Sequence, residues 1–206
     1  VLSRVYGSLK REYKNAYFID KNQCGFFIGG ADVVLEDHDR FLSEFTVADN
    51  EPLGCRMRMA AMSYVLVSEG RGFTSEGCEF GKAVGSSTEQ TEDNSRFQLF
   101  ISDLNALYLE NSCLWSCRGD KSVQRLGDAI TVSCCENGCE LFFASDTSGR
   151  GCEVTIPQPQ GKYCVLDSCS ERYGGRYRTP YKLYSDSLAL EPYEAVIFVG
   201  ERHFKH

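Results

Sequence analysis

Ala129-Ile130-Thr131-Val132-Ser133-Cys134-Cys135-Glu136-Asn137-Gly138-Cys139-Glu140-Leu141-Phe142-Phe143 reads as two strands folded back on each other. Asn-Gly is the dipeptide that a two-residue hairpin turn favours, because both central residues need positive φ. The β-branched and aromatic residues on either side favour extended backbone. Cys134 and Cys135 are adjacent, so on a strand they point to opposite faces and must find different partners. Cys135 and Cys139 flank the turn, which makes a bridge across it a tight candidate.

Outward from this hairpin, apolar segments recur roughly every 11 to 13 residues between Asp128 and Asp167, the rhythm of a β-meander. Glu153-Val154-Thr155-Ile156, Tyr163-Cys164-Val165-Leu166 and Ala195-Val196-Ile197-Phe198-Val199 continue it. Upstream, Arg56-Met57-Arg58-Met59, Tyr64-Val65-Leu66-Val67, Arg96 to Ile101 and Ala106-Leu107-Tyr108-Leu109 also read as strands, by short alternation. Only Leu9 to Lys14 and Asp37 to Glu44 are predicted helical. The expected fold is all-β: a disulfide-stabilised β-sandwich or irregular barrel with meander connectivity. One β-rich domain is predicted over 1–206, with a long polar loop at 86–95 that contains no apolar side chain. The alternative is a division into 1–85 and 96–206 at that loop.

The 206 residues are 42% hydrophobic and 25% charged, enough apolar material for a core. No apolar run approaches the roughly 18 residues of a membrane span. With 22 basic and 29 acidic residues the net charge is −7, which opposes nucleic-acid binding through a broad basic face. The chain starts at Val1 rather than Met, which reads as a processed chain.

Eleven cysteines (24, 55, 78, 113, 117, 134, 135, 139, 152, 164 and 169) predict a disulfide framework and an oxidising compartment, hence a secreted or cell-surface location. The odd count leaves one thiol over. A zinc-stabilised intracellular domain is the competing reading. Cys113/Cys117, Cys135/Cys139 and Cys164/Cys169 have ligand-like spacing, but no Cys-x-x-Cys knuckle occurs and no histidine lies among them. No cofactor is predicted.

Ser187-Leu188-Ala189-Leu190-Glu191-Pro192-Tyr193-Glu194-Ala195-Val196-Ile197 resembles the closing strands of the C-terminal β-domain of glycoside hydrolases with an α-amylase-like barrel. The resemblance spans about eleven residues and holds no catalytic motif. What it implies is local: a strand, a proline corner and a buried strand. It does not reach the barrel that carries that family's catalytic carboxylates.

Signatures for a serine hydrolase elbow, a dinucleotide fold, a phosphate loop and a zinc peptidase are missing from the sequence. His38, within Glu36-Asp37-His38-Asp39-Arg40, is the one imidazole away from the carboxy terminus, where His203 and His206 lie. A neighbouring carboxylate would orient it for catalysis, but a solvated charged loop is the favoured reading of this charge run. Asp32, Glu36, Asp37 and Asp39 supply oxygen ligands without the spacing of a calcium loop, so no metal site is predicted. Arg118-Gly119-Asp120 is a recognition tripeptide placed just after Cys117. Arg172 to Tyr184 packs four tyrosines and four basic residues into thirteen positions. Tyr and Arg together favour contact surfaces, which selects Tyr173, Arg176, Tyr177 and Tyr181 as binding residues.

The function predicted from these features is recognition or structural assembly, including cell adhesion, through a protein partner or oligomer, with a glycan as a further ligand. The alternative is a hydrolase or transferase whose carboxylate or Cys–His site is assembled by the fold and leaves no local signature.

Overall fold

The computed structural model describes residues 33–34, 51–67, 72–73, 92–111, 114, 120–136 and 138–200. His38, the acidic stretch 32–39 apart from Val33 and Val34, both predicted short helices, Arg118, Gly119 and cysteines 24, 78, 113 and 117 lie outside them.

Two helices, α1 (Glu51–Val67) and α2 (Glu92–Glu110), precede a run of antiparallel strands. These are β3 (Asp120–Leu126), β4 (Ala129–Glu136), β5 (Cys139–Asp146), β6 (Cys152–Thr155), β7 (Lys162–Asp167), β8 (Tyr181–Lys182), β9 (Ser187–Leu190) and β10 (Ala195–Gly200). Upstream, β1 (Val33–Val34) and β2 (Gly72–Phe73) pair in parallel. The six-stranded sheet runs β3-β4-β5-β10-β7-β8, and β6 pairs with β9 as a separate ribbon. The described part is thus mostly antiparallel sheet, open at both edges rather than closed into a barrel.

The hairpin read from the sequence is there: Glu136 pairs with Cys139 across Asn137-Gly138, and Gly138 has φ of +80°. Cys134 is buried and Cys135 exposed, as strand alternation requires. That register also rules out a bridge across the turn. Cys135 stands opposite Glu140, so Cys139 points to the other face. Among the described residues no disulfide joins any two cysteines, and Cys135, Cys152, Cys164 and Cys169 are free thiols. The disulfide-stabilised framework is therefore corrected, and the argument for a secreted protein loses its premise.

The four segments read as upstream strands lie instead in helices. Along α1, Cys55, Met59 and Met62 form one buried row and Ala60, Tyr64 and Val67 another. Both rows follow helical spacing, and Pro52 sits in the first turn, where its missing N–H costs nothing. Along α2, Phe97, Phe100, Ile101 and Leu104 make the buried stripe at i, i+3, i+4 and i+7. Glu92 to Ser95, the end of the polar stretch 86–95, are the first turn of this helix.

Strand alternation divides the core into two layers. Ile130, Val132, Leu141, Phe143, Ile197 and Val199 face the two helices. Phe142, Ala144, Val196, Phe198 and Cys164 face the β6–β9 ribbon, packing on Val154, Ile156 and Leu190. Strand β10 is central because each side of its Ala-Val-Ile-Phe-Val run meets one of these layers. Residues on both sides of 86–95, Tyr64 and Leu104 among them, share the helix-side layer.

Candidate functional site

The carboxyl ends of β7 and the entry to β10 lie side by side, Asp167 pairing with Val196. The chain then makes a tight excursion, from Ser168 to Pro180, before β8. Its centre is a short 3-10 turn over Glu171–Tyr173, capped by the Ser170 hydroxyl and ended by Gly174 at φ of +85°. Gly175 is required by close approach: a Cβ there would sit 1.8 Å from the Cys169 carbonyl oxygen.

This turn is fastened to α2. Arg172 makes a two-pronged contact with Asp103, Nε to Oδ2 at 2.5 Å and Nη2 to Oδ1 at 3.0 Å. The Tyr173 hydroxyl donates to the same Oδ2 at 2.7 Å, and its ring meets Phe100 edge-on with centroids 5.1 Å apart. Burial alone would raise the Asp103 pKa, but Arg172 and Tyr173 outweigh it and hold the carboxyl below its usual range. Between α2 and this turn runs a groove of about 350 Å³, lined by Asp103, Leu107, Asn111, Val165, Tyr173 and Pro180 among others. Its one tightly held carboxylate, Asp103, is neutralised by Arg172, which suits positioning better than proton transfer.

Beneath the turn lies a second cluster. Asp167, Cys169 and Glu194 are all buried, and one ligand atom from each lies within 4.8 Å of the others. The Cys169 amide donates to Asp167 Oδ1 at 2.7 Å, and the Glu191 amide donates to Glu194 Oε2 at 2.6 Å. Asp167 Oδ2 is enclosed without a hydrogen-bond partner. Tyr181 and Glu194 act on the Asp167 charge, but neither donates to Oδ2 in hydrogen-bonding geometry. Desolvation pushes both carboxyls up, and repulsion from Asp167 adds to it at Glu194, which is raised to about 8. Desolvation likewise pushes the Cys169 thiol up to about 12. With both carboxyls buried this close, Glu194 keeps its proton at neutral pH unless a cation takes its place.

The residues selected from the sequence separate. Tyr173 is buried and Tyr181 is half-buried against Phe198, their rings 6.3 Å apart. Arg176 and Tyr177 reach solvent, where Arg176 Nη2 pairs with Glu191 at 3.0 Å and the Tyr177 hydroxyl approaches it at 3.4 Å. Asp120 begins β3. The sequence reading passed over Tyr184, which is 89% exposed, and the Asp103 and Asp167–Glu194 groupings. Tyr184 lay inside the tyrosine-rich stretch already singled out. The two carboxylate groupings join residues 69 and 27 positions apart respectively, so no local signal marked them.

Neither a protein-family model nor a curated protein sequence matches the chain. Solved structures do share its fold. An α-amylase from Geobacillus thermoleovorans complexed with acarbose is similar at 15% identity and a TM-score of 0.62, over 96% of this chain and 42% of that one. An AmyP variant in complex with maltotriose is 13% identical with a TM-score of 0.62, over 83% of this chain and 41% of that one. A pullulanase from Anoxybacillus, complexed with maltotetraose, is 14% identical with a TM-score of 0.56, over 82% of this chain and 28% of that one. The chain therefore spans less than half the length of each. These are glycoside hydrolases rather than adhesion or structural proteins, which corrects the cell-adhesion and structural-assembly reading. No helix among the described residues is long and apolar enough to cross a membrane. At this level of identity the likeness establishes one thing: the two helices and their antiparallel sheets form a fold shared with chains of the α-amylase type.

Proposed function

We propose that this protein acts on α-linked glucans as a glycoside hydrolase of the α-amylase type, the present chain supplying the helix-backed sheet and a glucan contact. One observation carries the reading: the fold matches over most of this chain, and the matching structures are described as holding maltotriose, maltotetraose or acarbose. The chemistry of bond cleavage is not assigned to Asp103, Asp167 or Glu194. The first is tied to Arg172, and the other two are sealed from substrate.

Glucan contact is assigned to the Tyr/Arg segment, in the form its exposure leaves. Tyr184 presents a nearly free ring, and Tyr177 with Arg176 presents a second polar-aromatic surface. The C–H face of a pyranose packs on such rings, and a tyrosine gives large contact area at low entropic cost. Native electrophoresis through gels containing soluble starch tests it. Migration is expected to slow with starch and not with dextran, and Tyr184→Ala should weaken the retardation. Unchanged migration of the unsubstituted protein would oppose the reading.

A further inference from the structure

We infer that Asp167, Cys169 and Glu194 form a buried binding site for a single divalent cation of borderline softness, zinc being the natural occupant. Three observations meet here. The ligand atoms, two carboxylate oxygens and one thiol sulfur, already lie within 4.8 Å of one another. A tetrahedral zinc centre, with Zn–S near 2.3 Å and Zn–O near 2.1 Å, separates such atoms by roughly 3.4 to 3.6 Å.

Asp167 Oδ2 is the second observation. Its residue is fully buried, its sister oxygen is held by the Cys169 amide, and Oδ2 itself has no donor. Buried carboxylate oxygens are rarely left so, because each costs free energy comparable to a lost hydrogen bond. The Cys169 amide thereby fixes the carboxylate and leaves its second oxygen without a donor, and the Glu191 amide holds Glu194 Oε2. Supporting hydrogen bonds of this kind are what hold metal ligands in position.

Charge is the third. Deprotonated Asp, Cys and Glu carry three negative charges. A divalent cation offsets two, and Arg56 of α1, whose charge acts on both Asp167 and Cys169, offsets the third. Binding releases the Glu194 proton and the Cys169 thiol proton to solvent, as metal sites require of their ligands. The mixed oxygen–sulfur set disfavours magnesium and calcium, which select oxygen alone. The site is independent of glucan binding.

The test loads metal-stripped protein with cobalt, a spectroscopic stand-in for zinc, and counts bound zinc in parallel by elemental analysis. One equivalent of zinc and a thiolate-to-cobalt charge-transfer band are expected. Cys169→Ser should abolish the band, while Cys135→Ser, on the exposed face of β4, should leave it unchanged. Glu194→Gln, which keeps the shape of the side chain, should weaken zinc binding at least tenfold and guards against a folding defect in Cys169→Ser. The inference is overturned if the unsubstituted protein gives no thiolate band, if the band survives Cys169→Ser, or if Glu194→Gln binds zinc as tightly.

Discussion

Replacing Asp146 should unlock one corner of the fold out of proportion to the size of the change. The side chain is fully buried at the end of β5. Its Oδ2 accepts the amides of Gly149 at 2.9 Å, Tyr193 at 3.0 Å and Gly151 at 3.4 Å. Its Oδ1 accepts the Ser148 amide at 3.2 Å and the Ser148 hydroxyl at 2.8 Å. One carboxylate thus closes the 146–151 loop and ties it to the turn before β10, where Tyr193 stands at φ of +55°. Asp146→Ala leaves four amides without their acceptor. Each such loss costs about 1–3 kcal/mol when water cannot replace the partner. Ser148 and Gly149 are half-buried, so water recovers part, and about 3–4 kcal/mol of destabilisation is expected. At this chain length that lowers Tm by roughly 6–16 °C.

The contrast is Asp128, whose partner is the exposed Arg150 at 3.1 Å. Asp128→Ala should cost at most about 1 kcal/mol, the range of surface ion pairs. Urea unfolding followed by circular dichroism measures both. Protonation should mimic the mutation. Burial would raise the Asp146 pKa, but the Tyr193, Ser148 and Gly149 donors outweigh it and hold the carboxyl below its usual range. Its contribution is therefore complete above the unfolded value of about 3.9 and lost as pH falls through the lower folded value. The stability gap between the unsubstituted protein and Asp146→Asn should stay level from neutral pH to about 5 and shrink below about 4. A gap that is constant to pH 2, or an Asp146→Ala no worse than Asp128→Ala, would refute the argument.

Three further outcomes follow from the geometry. Gly175→Ala drives a methyl group into the Cys169 carbonyl and should destabilise by more than about 2 kcal/mol, whereas Gly127→Ala, with φ of +63° and open space around it, should cost only the roughly 1–2 kcal/mol of left-handed backbone. Comparative thermal melts distinguish them. Tyr173→Phe keeps the ring against Phe100 but removes one donor to Asp103, for a loss of about 1 kcal/mol in denaturant titration. Leu104→Ala, on the buried stripe of α2, should cost about 2–5 kcal/mol while Leu109→Ala, 74% exposed, should cost almost nothing. Equal effects at these two positions would mean that α2 packs on a different face.

The antiparallel half of the molecule was legible because its signals are local. Asn137-Gly138 specifies its own turn, and the alternating or continuous apolar runs at 140–143, 163–166 and 195–199 need only neighbouring residues to be read. The helices were missed for a related reason. Within four residues, Arg56-Met57-Arg58-Met59 satisfies strand alternation, while the helical rows become visible only across a longer window, as at Phe97, Phe100, Ile101 and Leu104. The cysteines misled because density alone does not place two sulfurs together, and Cys135 and Cys139 sit on opposite faces of their hairpin. The tyrosine-rich segment divides between interior and solvent. Tyr173 finds Asp103 on a helix 70 positions upstream, a partner no local reading supplies, so it is buried rather than presented. The Asp167–Glu194 pair exists only because β10 inserts between β5 and β7.

The most direct test of the central claim is binding of defined α-glucans. Isothermal titration of the purified protein with maltoheptaose should give a saturable binding heat that Tyr184→Ala diminishes, and cellohexaose should give none. No binding heat with maltoheptaose, together with no retardation in starch gels, would contradict the glucan contact and leave the shared fold without its proposed role.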